Sequence, residues 1–264
     1  CRYHTTEAVR PLALADKITR LIKTNFILNR KTHPELGHKM SEDLKPFLHP
    51  GPVVQSNDDA VVGFARRAID TETRSVEQAI LLYYAVRDQV RYNAYDLDIS
   101  ISGLSARRNL ELGHGWCVSK AVLLAACCRS IGIPARLGYA DVRNHLSTQK
   151  MRDHMQTDVF YWHGYTSIYL DGRWVKATPA FNLELCHKFR LRPLDFDGQK
   201  DSIYHPLDLE GRRHMEYLNE RGEYAEPPIR QMLETFQHEY PNWHTQKDGI
   251  AGDFDTDVSI ETAS

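Results

Sequence analysis

The sequence predicts an α+β fold, and three observations carry that reading. Helical patterns occupy roughly residues 57–130 and strand patterns follow them, an order that argues against alternating β and α units. The stretch "CVSKAVLLAACCRS" is apolar nearly all round, which marks a central, buried helix. "TDVFYWHGYTSIYL" and "RWVKATPAF" are rich in aromatic and β-branched residues and flank Asp171-Gly172, a pair that favours the two-residue type I′ hairpin turn.

Residues 1–56 read as an N-terminal extension, with helical patches from Thr6 to Ile27 and the proline-rich "KPFLHPGPVV" as an extended arm. A first residue that is Cys and not Met is expected to be a cloning scar in preference to a lipid-modified cysteine. Asn57 or Asp58 can cap the helix of "DAVVGFARRAI". In "SVEQAILLYYAVRDQVRYN", Ser75 and Gln78 fit a capping box, and Val76, Ala79, Ile80, Tyr83, Val86 and Val90 form one apolar stripe. Residues 91–102 read as a loop or short extended piece. The buried helix should run from Cys117 to about Ser130, stopped by Gly132 and Pro134. "ARLGYADV" reads as a strand, "RNHLSTQKMRDHMQ" as a polar connector, and the hairpin follows. From about residue 183 the chain reads as loop-rich, with one late helix near Ile229–Glu239. The expected organisation is an arm (1–56), one domain (57–240) and a mostly disordered tail (241–264).

Lys plus Arg number 33 against 35 Asp plus Glu, for a net charge of −2 over 264 residues, so no basic footprint for nucleic acid or anionic lipid is present. No apolar run is long enough to span a bilayer. Five cysteines at no framework spacing argue for a reducing, cytoplasmic setting over a disulfide-stapled one.

A nucleophilic thiol must be ionised, aimed and near a base. Cys117 sits where loop becomes helix, and free N–H groups there favour a thiolate and can receive an oxyanion. Gly113 and Gly115 allow a sharp approach and leave room for substrate. Cys127 and Cys128 fall mid-helix and Cys186 in a polar segment, so all three read as structural. In the hairpin, alternation puts Val159, Tyr161, His163, Tyr165, Ser167 and Tyr169 on one face. With a turn at 171–172, His163 pairs Ala180, and Thr178 and Asn182 become its diagonal neighbours. His163 then reads either as a base oriented by one of these groups or as an ordinary strand histidine.

These residues resemble a known family. "GWCVSKAVLLAACCRSIGIPAR" resembles the Cys motif of the transglutaminase-like superfamily, and "FYWHGYTSIYLDGRWVKATPAFN" resembles its His motif. The interval from 117 to 163, 46 residues, suits that family, and the resemblance covers about residues 57–182. The wider pattern also resembles a microbial group of such proteins of similar length. The resemblance implies a papain-like core with the Cys-bearing helix packed on an antiparallel sheet. It implies Cys117 as nucleophile, His163 as general base, and an oxyanion site near Trp116 and the Cys117 amide. The sequence departs from the family where an Asp usually follows the His strand, because "VKATPAFN" has Thr178 there. Thr178 or Asn182 could orient the ring through a neutral hydrogen bond, with a slight preference for Asn182.

"PLDFDGQKDSIYHPLDLEGRRHMEY" carries several Asp and His residues, but its spacing matches no metal loop, and Asp–Gly clusters mostly make turns. No metal or cofactor is expected. This segment is expected to fold over the Cys117 cleft, with His205 and His214 touching substrate, joined by Asp141, Arg143 and Asn144. The expected activity is thiol-dependent acyl transfer on a peptide or small-molecule amide, by hydrolysis, transamidation or cyclisation. The alternatives are an inactive binding module and an acyltransferase using a thioester donor. Partners other than substrate, nucleic acid and membrane included, are not expected.

Overall fold

The computed structural model describes residues 42–145, 147–204, 207–211, 214–243 and 249–262. Residues 41–264 form one compact unit. A 3-10 turn, Glu42–Phe47, leads into helices α1 (Asp59–Ile69) and α2 (Ser75–Gln89). Then come β1 (Arg91–Tyr92), α3 (Ile101–Leu104), α4 (Ala106–Leu112), β2 (His114–Gly115) and α5 (Cys117–Ser130). The second half holds β3 (Ala135–Asn144), α6 (Gln149–Met155), β4 (Val159–Leu170), β5 (Arg173–Ala177) and α7 (Leu183–Lys188). It ends with β6 (Met215–Tyr224), α8 (Ile229–Glu239) and α9 (Phe254–Thr262). Strands β5-β4-β3-β6 form an antiparallel sheet, and α5 packs against β4 and β3 on one side and against α1, α2 and α4 on the other. The fold is α+β with the Cys-bearing helix at its centre, as the sequence predicts. No described helix is long and apolar enough to cross a membrane.

Every residue of α5 from Cys117 to Arg129 is buried. Burying Lys120 and Arg129 there requires partners for each donor. Lys120 Nζ donates to the carbonyls of Arg87 (3.0 Å), Val90 (2.5 Å) and Ala180 (2.7 Å). Arg129 donates to the carbonyls of Ala135, His49 and Ala225. Asp58 caps α1 by accepting from Ala60 and Val61 N–H. Asp171 and Gly172 both adopt positive φ and set the hairpin register at Leu170–Arg173.

Several elements differ from expectation. Ser75 begins α2 without capping it, and Gln78 donates instead to the Glu72 carbonyl, so no capping box forms. The proline-rich arm is not detached: Val53 and Val54 are buried in the core, their N–H groups held by Glu226. The polar connector contains α6, capped by Thr148 and anchored by Met151 and Met155. The loop-rich region contains β6, an edge strand on β3. The expected tail contains α9, which buries Phe254 against Tyr92 and Tyr95. The helical patches between Thr6 and Ile27, and Cys1, lie outside the described residues.

The hairpin is shorter and less regular than its turn implies. Strand pairing ends at Thr166–Ala177, because Pro179 lacks an N–H and the chain turns to Ser202, whose carbonyl takes the Thr178 N–H. The pairing of His163 with Ala180 therefore does not form. In β4, Tyr161 and Trp162 together oppose Asp141, a β-bulge with Trp162 at φ 60°. The bulge breaks the alternation, so Phe160 and not Tyr161 lies on the face of His163.

Candidate active site

The chain reaches Cys117 along a fixed path. Arg91 N–H and Asn93 N–H donate to the carbonyls of Gly113 and Gly115, and Gly113, at φ 66°, ends α4. Gly115 is small for packing and not for substrate, since a β-carbon there would meet Asn109 and Ser119. Trp116 caps α5, but its N–H donates to Ser119 Oγ at 3.1 Å, so it is not free for an oxyanion. Its side chain lines the cavity beside Cys117.

The Cys117 sulfur is faced by the N–H groups of Gly164, Val118 and Cys117 itself, which favour a thiolate. Burial outweighs them and pushes the thiol up to about 11. The helix start thus supplies donors, as expected, yet the resting sulfur is a thiol. Gly164 was not anticipated. It brings β4 under the first turn of α5, and the His-Gly pair in "WHGY" was the available signal.

His163 lies opposite Ala140 on β4 and lines the same cavity as Cys117. Burial alone lowers its imidazole to about 4, so the ring is neutral at pH 7. Among the described residues no hydrogen bond joins His163 to Cys117, Thr178 or Asn182, and its Nε2 is buried without a partner. Thr178 Oγ1 is likewise buried without a partner, and both residues line a second, smaller cavity. Asn182 is committed elsewhere, since its Oδ1 accepts the Tyr92 N–H at 3.0 Å. The geometry gathers His163 with Thr178 and leaves Asn182 holding β1.

Of the four described residues expected to touch substrate, Asn144 alone is placed on the wall of the Cys117 cavity. Asp141 accepts from Trp162 N–H (3.2 Å), Asn219 Nδ2 (3.3 Å) and Arg221 Nε (2.8 Å), so it clamps the bulge beside His163. Arg143 is on the outside, paired with Asp158 and Glu216. His214 is buried behind the cavity, stacked on Phe181. His205 lies outside the described residues.

The Cys117 cavity is a narrow, partly open cleft. The segment expected to cover it contributes Met215, while Leu194, Ile203 and Tyr204 line the Thr178 side. Cover comes instead from Met151 and Met155 of α6 and from Phe236, Tyr240 and Trp243 at α8. Their spacing, i and i+4 in "MRDHM" and from Phe236 to Tyr240, was the missed signal. Two acidic residues of the 193–217 segment make turns: Asp197 accepts from Gln199 and Lys200 N–H, and Asp208 from Glu210 N–H. Among the described residues no group of three or more His, Cys, Asp or Glu is placed to hold a metal.

No curated protein sequence matches the chain. A solved structure of a candidate cysteine protease from Cytophaga hutchinsonii is similar at 24% identity and TM-score 0.41, over 54% of this chain and 43% of that one. A candidate protease from Parabacteroides distasonis is similar at 15% identity and TM-score 0.34, over 51% of this chain and 25% of that one. The matched part thus spans less than half the length of either protein. The family model of the transglutaminase-like superfamily matches residues 62–179, a span that holds both Cys117 and His163. Residues 62–179 are a domain of the transglutaminase-like superfamily.

Proposed function

We propose that the protein is a thiol-dependent acyl-transfer enzyme acting on amides, with Cys117 as nucleophile and His163 as general base. The observation that carries this reading is that both residues, from α5 and β4, line one cavity. Burial keeps the resting pair neutral, so the proton leaves the thiol as sulfur attacks and not before. Sulfur bonds to the acyl carbon and His163 takes the thiol proton. The C–N bond then breaks and that proton leaves on the amine. Water or a second amine next attacks the thioester, His163 takes its proton, and the C–S bond breaks to restore the thiol. The acceptor sets whether the outcome is hydrolysis, transamidation or cyclisation.

The Cys117 N–H is the oxyanion donor in this scheme, at the first turn of α5 where helical N–H groups lack intrahelical acceptors. The Trp116 side chain shapes the site beside it. Thr178 is the orienting group for His163. The test is iodoacetamide labelling followed by intact mass and peptide mapping. Cys117 should react well ahead of Cys127, Cys128 and Cys186, and His163→Ala should slow it. Equal, sluggish labelling of all four thiols would sink the proposal.

A further inference from the structure

The wall beside Cys117 has a chemistry of its own. It is built from methionines (Met151, Met155, Met215), aromatic rings (Phe160, Phe236, Trp243) and aliphatic side chains such as Leu97 and Val142. Among the described residues none that faces the cavity carries a charge, since His163 is neutral. Two of the three tyrosine hydroxyls of the wall already have partners within the protein. Tyr161 donates to Glu239 at 2.8 Å, and Tyr240 Oη accepts the Tyr161 N–H at 2.8 Å. Ring faces remain for the ligand. The same enclosure that strips water from Cys117 and His163 strips it from anything bound beside them. An ionised carboxylate or ammonium would find no counter-charge among the described residues of the wall, whereas an alkyl or aryl group would gain from every methylene it buries. Methionines adapt to differing shapes, so the wall fits a class of apolar groups and not one outline.

We infer that this cavity is the acyl pocket, and that the enzyme takes donors whose carbonyl carries an uncharged alkyl or aryl group. The inference rests on Cys117 being the nucleophile, as proposed above. Two sources present this chemistry: a fatty or aromatic acyl group, and the side chain of an apolar residue in a peptide.

Chloromethyl ketones, R–CO–CH2Cl, test it, because R occupies the acyl side. Sulfur displaces chloride from carbon and His163 receives the thiol proton. Labelling of Cys117 is followed with R as methyl, propyl, pentyl, phenyl and carboxyethyl. The second-order rate constant should rise about three- to fourfold per methylene, on the order of a hundredfold from methyl to pentyl. The carboxyethyl reagent should fall at least tenfold below propyl. N-acetyl-leucyl and N-acetyl-aspartyl chloromethyl ketones form the second arm. A leucyl reagent faster than pentyl assigns the apolar group to a peptide side chain, and the reverse assigns it to an acyl chain.

Ala94 also lines the cavity. Ala94→Leu and Met155→Glu should each lower the pentyl-to-methyl ratio, a ratio taken within one variant and so insensitive to its folded fraction. A flat series with Cys117 still labelled by the methyl reagent overturns the pocket and leaves the thiol chemistry standing. Failure of every reagent at Cys117 overturns the thiol chemistry and the pocket with it.

Discussion

Gly164 lies so close under the first turn of α5 that a β-carbon on it would stand 2.8 Å from Val118 Cα and 3.2 Å from Val118 N. The contact joins β4 to the start of the Cys117 helix through backbone alone, so no side chain can give way. It also brings the Gly164 N–H to the sulfur. Gly164→Ala is therefore expected to cost about 1–3 kcal/mol by overpacking, read from denaturant unfolding. Labelling of Cys117 should slow with it, because the helix start is pushed from β4. Unchanged stability and labelling would mean that α5 is not seated on this glycine.

Asp141 holds the backbone one residue before His163. Trp162 sits at φ 60°, a conformation unfavourable for a bulky residue, and its N–H is fixed by a carboxylate that Arg221 also grips. Arg221 lies over the Trp162 ring at 5.0 Å. Asp141→Ala removes this clamp and leaves its donors to find water, for a loss of about 2–4 kcal/mol. A role limited to stability would leave the folded enzyme's pH profile alone. Loosening of the bulge should instead admit water to His163 and move its titration from about 4 back toward 6.5. The acid limb of Cys117 labelling reads this directly.

What the sequence made legible was local. The turn at Asp171-Gly172 fixed the hairpin register, and the Gly132-Pro134 stop fixed the end of α5, because both act through neighbouring backbone. What it hid was set by distant partners. β6 is an edge strand whose ladder lies on β3, some 80 residues upstream, and its outward charged residues give no buried-strand signal. The bulge at Trp162 depends on Asp141 and Arg221, which no pattern within β4 announces. The site divides the same way. Cys117 and His163 lay in motifs, whereas the apolar wall is assembled from single residues of many elements. Asn182 looked like a partner of His163 only while the strand was extended past Pro179.

Thr178 and Asn182 can be separated by two substitutions. Thr178→Val keeps the shape and deletes the hydroxyl that shares the smaller cavity with His163. The hydroxyl bonds nothing at rest among the described residues, so little change in Tm is expected, whereas labelling should slow about tenfold because the hydroxyl holds the ring only as it takes the thiol proton. Asn182→Ala removes the acceptor of the Tyr92 N–H and should lower stability by about 1–2 kcal/mol, with the smaller effect on rate. The opposite ranking would return the orienting role to Asn182.

Lys120 ties three segments to the middle of α5. Two of its acceptors, Arg87 O and Val90 O, are at the end of α2, where the helix dipole favours a cation. The third, Ala180 O, belongs to the segment between Thr178 and Asn182. Burial lowers the ammonium to about 7, against the pull of the nearby Asp88 carboxylate. Lys120→Met preserves length and strands all three acceptors, so a loss of about 3–5 kcal/mol is expected in urea unfolding. A stable variant would show that the carbonyls find other donors.

The pH dependence follows from the neutral pair. His163 has its imidazole lowered from 6.5 to about 4, so the unfolded chain binds the extra proton first. Its contribution to stability is complete above pH 6.5 and is lost as pH falls toward 4, by about 3 kcal/mol in all. Cys117 is raised from 9.0 to about 11, so its contribution is complete below pH 9 and is lost as pH rises through 11. Labelling by iodoacetamide should accordingly hold nearly level between these limits, because neutral imidazole and thiol coexist throughout. It should fall only as the ring protonates near pH 4, and climb as free thiolate forms toward pH 11. In His163→Ala the level stretch should vanish and the rate should follow thiolate formation alone. A wild-type profile that bends near pH 6.5 would instead mean that water reaches the ring and that the dyad is not sealed by its apolar walls.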